Sequence, residues 1–128
     1  MERAKVGIFE DVALIRDGLR GELEHAEHTV ELEVATMVDA REEIAQLQPG
    51  ALDVAVVDGN LASGTKSGQD GAEITALLKG VDEAIRVIGY SGSANVAGAD
   101  VNFPKAGAYD ILNYIAALPD IDVSPGDL

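Results

Sequence analysis

Cysteine is absent from the 128 residues. That excludes a disulfide framework and any thiolate-bound metal, and it is compatible with a reducing, cytoplasmic setting. Long apolar runs are absent too: nothing reaches the roughly 18 residues that a membrane-spanning helix needs. The opening MERAKVGIFED meets acidic residues before any long apolar stretch, so it does not read as a signal peptide. Basic residues are few, nine against 23 acids, which leaves a net charge of −14. Such a surface repels nucleic acid phosphates and anionic lipid, so neither nucleic acid nor membrane is an expected direct partner. There is no internal repeat, and the one low-complexity stretch is a loop, GNLASGTKSGQDG.

What is present is an alternation. A chain of this length suits one domain and can bury roughly 65–70% of the surface its unfolded form exposes. Strands are expected at Lys5 to Phe9, Val30 to Val34, Asp53 to Val57, Ala84 to Tyr90 and Val101 to Phe103. Helical spacing is expected over Val12 to Leu23, Val38 to Leu47, Ala72 to Leu78 and Tyr109 to Leu118. VELEV alternates apolar and acidic residues, the mark of a half-exposed edge strand, whereas VAVV is continuously apolar, the mark of a buried parallel one. Strand-helix alternation predicts an α/β fold, a doubly wound parallel sheet with helices on both faces. Residues 1–118 form the expected domain, and 119–128 an acidic, proline-containing tail or linker stub.

In such sheets ligands bind beyond the carboxyl ends of the strands. Glu10 and Asp11 follow the first strand, Asp58 the third, Ser91 the fourth and Lys105 the fifth. Were the first and third strands neighbours, Glu10, Asp11 and Asp58 would share one pocket. Three carboxylates that close stay ionised together only around a cation, and an all-oxygen donor set suits magnesium.

The segments VGIFEDVALIRDGL, DVAVVDGNL, VIGYSGS and FPKAG together resemble the receiver domain of two-component response regulators, over roughly residues 3–118. The resemblance implies a five-stranded, flavodoxin-like sheet of order 2-1-3-4-5. It implies Asp58 as phosphoacceptor, with Ser91 bonding the phosphoryl group and Lys105 pairing with the aspartate and then its phosphate. Mg2+ would be held by Glu10, Asp11, Asp58 and the backbone carbonyl of Asn60. The donor would be a histidine kinase or phosphotransfer protein, and output would pass to an unnamed downstream protein. On this reading the chain is a signalling domain and not a metabolic enzyme.

The chain also departs from that pattern. Glu10 stands where an aspartate is usual and Ser91 where threonine is. The loop after Asp58 is long. Too few residues separate Ser91 from Lys105 for a full fourth helix, so that helix is expected to be reduced to a turn. Ala106 follows the lysine where proline is usual, and Asn102 holds the position of the aromatic switch, with Phe103 expected to face the other way. These departures keep a second reading open: a degenerate, receiver-like interaction module that is not phosphorylated.

Other motifs give way to simpler explanations. GNLASGTKS is a P-loop with one residue too many, because Thr65 displaces Lys66. A haloacid-dehalogenase nucleophile would fall on Val56. His25 and His28, at helical spacing, read as surface histidines, and Glu22, Glu24, Glu27, Glu31 and Glu33 as a solvated face. Asp11 could simply cap the first helix, Ser91 could be a turn residue, and Lys105 could be an ordinary surface lysine.

Overall fold

The computed structural model describes residues 1–61, 69–92 and 95–120. In chain order the elements are β1 (Lys5–Phe9), α1 (Ala13–His25), β2 (Thr29–Val34), α2 (Met37–Gln46), β3 (Val54–Val57), α3 (Gln69–Val81), β4 (Arg86–Tyr90), β5 (Val101–Phe103) and α4 (Tyr109–Ala117). The five strands make one parallel sheet in the order β2-β1-β3-β4-β5. The expected doubly wound, flavodoxin-like order is therefore present, with VELEV on one edge and VAVV at the centre. Most of the expected long loop after Asp58 and most of the expected acidic tail fall on 62–68 and 121–128, outside the described residues.

Side chains alternate across the sheet, as strand geometry requires. On one face Val6, Ile8, Val54, Val56 and Ile88 pack with Leu19 and Leu23 of α1 and with Ile111 and Ile115 of α4. On the other, Phe9, Ala55, Val57 and Val87 pack with Met37 and Ile44 of α2 and with Ile74 and Leu78 of α3. Each fully buried aliphatic side chain contributes roughly 1.5–3 kcal/mol of transfer free energy. This core fixes the strand ends, and the strand ends carry the site.

Most boundaries fall within two residues of expectation, and the larger differences have local reasons. α3 extends beyond Ala72 to Leu78 at both ends because Gly71 and Gly80 lie inside it and do not terminate it. β4 starts at Arg86 because the Ala84 and Ile85 amides bond back to Asp82 and form a turn. The β1–β2 register skips Glu31, so VELEV carries an irregularity that its alternation does not reveal. His28 is buried and not on the surface, since its Nδ1 accepts from the Ala4 amide at 3.0 Å. Glu33 leaves the solvated face to pair with Arg20 at 2.7 Å.

Candidate functional site

Parallel pairing of β1 with β3 sets Phe9 beside Val57, and the Asp58 amide continues the ladder to the Phe9 carbonyl at 2.9 Å. The next residues, Glu10 and Asp58, therefore emerge together at the carboxyl rim. Glu10 is held by its own backbone: its amide donates to the Val34 carbonyl at 2.9 Å, and its carbonyl accepts from Arg16 Nη1 at 2.9 Å. Asp58 Oδ1 accepts from the Gly59 amide at 2.7 Å. Both side chains are almost sealed, with Glu10 2% and Asp58 8% exposed.

Lys105 closes the arrangement from the end of β5. Its Nζ lies 3.1 Å from Asp58 Oδ2 and 3.0 Å from each carboxylate oxygen of Glu10. Of the two Glu10 oxygens it hydrogen-bonds only Oε1, and Oε2 has no hydrogen-bond partner despite its burial. The electrostatics follow. Burial, followed by the charge of Asp58, pushes the Glu10 carboxyl up to about 7, although the bond to Lys105 opposes this. Burial by itself would lower the Lys105 ammonium, but the bonds and charges of Glu10 and Asp58 outweigh it and hold the ammonium above its ordinary value.

Asp11 completes the acidic group. One carboxylate oxygen from each of Glu10, Asp11 and Asp58 lies within 4.8 Å of the others. Asp11 does not cap α1: the cap position is Val12, with no side-chain hydrogen bond. Ser91 flanks the same place, since a Cβ added to Gly59 would come within 3.2 Å of the Ser91 hydroxyl. Asn60 is half-buried in the loop directly after Asp58. The all-oxygen donors, the close carboxylates and the orphaned Glu10 Oε2 fit a hard divalent cation such as Mg2+.

No protein-family model and no curated protein matches the chain. Solved structures do match it. A LuxR-family two-component response regulator from Aurantimonas sp. SI85-9A1 superposes with a TM-score of 0.71 at 21% identity, over 90% of this chain and 84% of that one. The non-phosphorylated HemR receiver domain from Leptospira biflexa gives 0.71 at 18%, over 96% and 100%. The receiver domain of a modulated diguanylate cyclase from Desulfovibrio desulfuricans G20 gives 0.69 at 24%, over 87% and 88%. The chain has the receiver-domain fold.

Within the receiver fold the expected departures take concrete form. Among the described residues no helix joins β4 to β5, only a turn near Ala97–Gly98. Phe103 faces α4 and meets Tyr114 edge-on at 6.1 Å, while Asn102 faces the opposite side. There its Oδ1 accepts from the Val96 amide at 2.7 Å and its Nδ2 donates to the Val96 carbonyl at 3.3 Å. Val96, 2% exposed, is thereby pinned into the core beside α3. After Lys105 the chain turns through Gly107, whose φ of +116° suits glycine, and the Gly107 amide donates to the Tyr90 hydroxyl at 3.1 Å.

The structure thus brings Glu10, Asp11, Asp58 and Lys105 together, with Ser91 beside them. Sequence reasoning missed three contributors: Arg16, Asp70 and Gly71. The Arg16 bond goes to a backbone carbonyl, which has no sequence signature. Asp70 did carry one, an acid in the first turn of a helix, and Gly71 lies against the backbone of Asp58 and Gly59.

Proposed function

We propose that residues 1–118 act as a receiver module of a response regulator that accepts a phosphoryl group on Asp58 from a histidine kinase or phosphotransfer protein. The observation that carries this is the position of Lys105, its ammonium shared between Glu10 and Asp58 at the rim. A pure scaffold has no use for a buried ion triad there, since unpaired desolvated charges are costly.

In this reading an Asp58 carboxylate oxygen attacks phosphorus. The bond from phosphorus to the donor nitrogen breaks, its electron pair returns to the imidazole, and Asp58 becomes an acyl phosphate. Such transfers depend mainly on positioning and on neutralising charge. Lys105 moves its contact from the carboxylate to the transferred oxygens, and the Ser91 hydroxyl donates to another. Glu10, Asp11, Asp58 and the Asn60 carbonyl would hold Mg2+, which, when bound, supplies the remaining positive charge. The product adds nearly two negative charges at one point and biases the surrounding loops. Protein partners would read that change.

The second reading, a receiver-like interaction module that is never phosphorylated, is favoured by one observation: Asn102 is clasped to Val96 where a mobile aromatic switch would stand. Acetyl phosphate with Mg2+ separates the two. The first reading expects a mass gain of one phosphoryl group that is absent in Asp58→Asn. Unchanged mass in the wild type selects the second.

A further inference from the structure

The Asn60 peptide is bracketed by the first turn of α3. On its N-terminal side the Gly71 amide donates to the Gly59 carbonyl at 2.9 Å. On its C-terminal side the Leu61 amide donates to Asp70 Oδ2 at 2.9 Å. Asp70 is 3% and Leu61 4% exposed, so both bonds lie out of water. Residue 71 must lack a side chain, because a Cβ would fall 2.7 Å from the Asp58 carbonyl oxygen and 3.1 Å from the Gly59 Cα. A helix turn built from a buried acid and a glycine is therefore pressed against the three residues that follow the phosphoacceptor.

We propose that Asp70 is a positioning residue for the divalent cation, acting through the Asn60 carbonyl; the proposal rests on the metal-dependent reading given above. The reasoning is one of peptide geometry. In a trans peptide the N–H of one residue and the C=O of the residue before it point in opposite directions in one plane. No described peptide bond is cis. Directing the Leu61 N–H at Asp70 therefore turns the Asn60 carbonyl away from α3 and fixes its plane, and the Gly71–Gly59 bond fixes the peptide before it. A ligand carbonyl held in this way loses little freedom when the ion arrives.

The bond also closes the chain across residues 62–68, so the orientation at Asn60 is set by α3 and not by the length of that segment. A longer connection than receivers usually carry is then compatible with an undisturbed site. Burying a carboxylate costs desolvation, and an apolar residue would fill the space without that cost. The Leu61 amide gives the buried acid a hydrogen bond in return.

The test uses the full chain and Mg2+ alone, with binding followed by calorimetry. Outer contacts that orient metal ligands typically change affinity 10–100-fold. Asp70→Ala is expected to weaken Mg2+ binding roughly tenfold, and Asp70→Asn, whose side-chain carbonyl can still accept from Leu61, to stay within about threefold of wild type. Hydrogen exchange at the Leu61 amide should be slow in wild type and Asp70→Asn, and fast in Asp70→Ala. Ile115→Val, in the opposite core, controls for general loosening: it should lower Tm and leave Mg2+ affinity unchanged. Should Asp70→Ala not fold, Asp70→Ser, polar but too short to reach Leu61, replaces it with the same expectation. A folded Asp70→Ala or Asp70→Ser with wild-type affinity overturns the proposal alone. A wild-type chain that binds no Mg2+ overturns the proposal together with the metal-dependent reading.

Discussion

The acidic rim and the connection from β4 to β5 are neighbours in the sheet, yet they are built in opposite ways. At the rim three charged side chains, Glu10, Asp58 and Lys105, face one another with one carboxylate oxygen left unbonded, an arrangement that a ligand would complete. Beside it, Asn102 of β5 spends both ends of its amide on the backbone of Val96 in the β4–β5 connection, and a Cβ at Gly89 would collide with that amide. The first region leaves a buried acceptor open; the second bonds both ends of its amide. The difference teaches that two parts of one receiver fold can be built on different terms, open acids in one and a closed amide clasp in the other. Here the acids and the lysine meet at the rim, while among the described residues no helix joins β4 to β5 and Asn102 clasps Val96.

The largest predicted effect probes the rim. Lys105→Ala leaves two buried carboxylates facing each other. Removing one partner of a fully buried pair costs roughly 3–5 kcal/mol. Lys105 retains some contact with water, its side chain 18% exposed, so a loss of about 2 kcal/mol is expected in urea unfolding. Mg2+ should restore most of that loss in Lys105→Ala and add less to wild type. Equal stabilisation of both would break the contrast drawn here.

The clasp comes next. A Cβ at Gly89 would fall 1.9 Å from Asn102 Oδ1, so Gly89→Ala must displace the amide, at about 1–3 kcal/mol for overpacking. Asn102→Ala costs about 1 kcal/mol through its lost hydrogen bonds. In the Asn102→Ala background the Gly89→Ala penalty should shrink by about 1 kcal/mol, the coupling expected of residues in contact. Additive penalties in that double-mutant cycle would show that the clasp is not the element holding the connection.

The smallest effect lies away from both regions and calibrates them. Burial, and then the nearby amino terminus, hold His28 below its usual 6.5. The unfolded chain therefore takes up this proton more readily than the folded one. The stability linked to His28 is fully present above pH 6.5 and is lost as pH falls through that value toward the lower folded one. The urea midpoint of wild type should thus fall more steeply than that of His28→Gln on going from pH 7.5 to 5.5. Parallel curves would contradict the assignment.

Much of this was legible in the sequence, for physical reasons. Continuous apolar VAVV and alternating VELEV differ because one strand is covered on both faces and the other lies on an edge. Those patterns fix the sheet, and the sheet places Glu10, Asp58 and Lys105 on one rim. The rest was not legible because it rests on bonds from side chains to backbone between distant segments. Asn102 reads as the loss of an aromatic residue until Val96 is seen beneath it. Gly71 reads as the end of the loop and Gly80 as the end of the helix, although both lie inside α3, and nothing larger than Gly71 fits against Asp58. His28 reads as a surface residue because no periodicity reports that its ring accepts from the Ala4 amide.

The central claim is that Glu10, Asp11, Asp58 and Lys105 meet around a divalent cation. The most direct measurement is a Mg2+ titration of the folded chain followed through its backbone amide resonances. The account predicts saturable shifts concentrated at residues 10–11, 58–61 and 105, with β2 and the far ends of the strands unmoved. A titration that leaves those resonances unchanged, or moves only the exposed acids of α1, would contradict it.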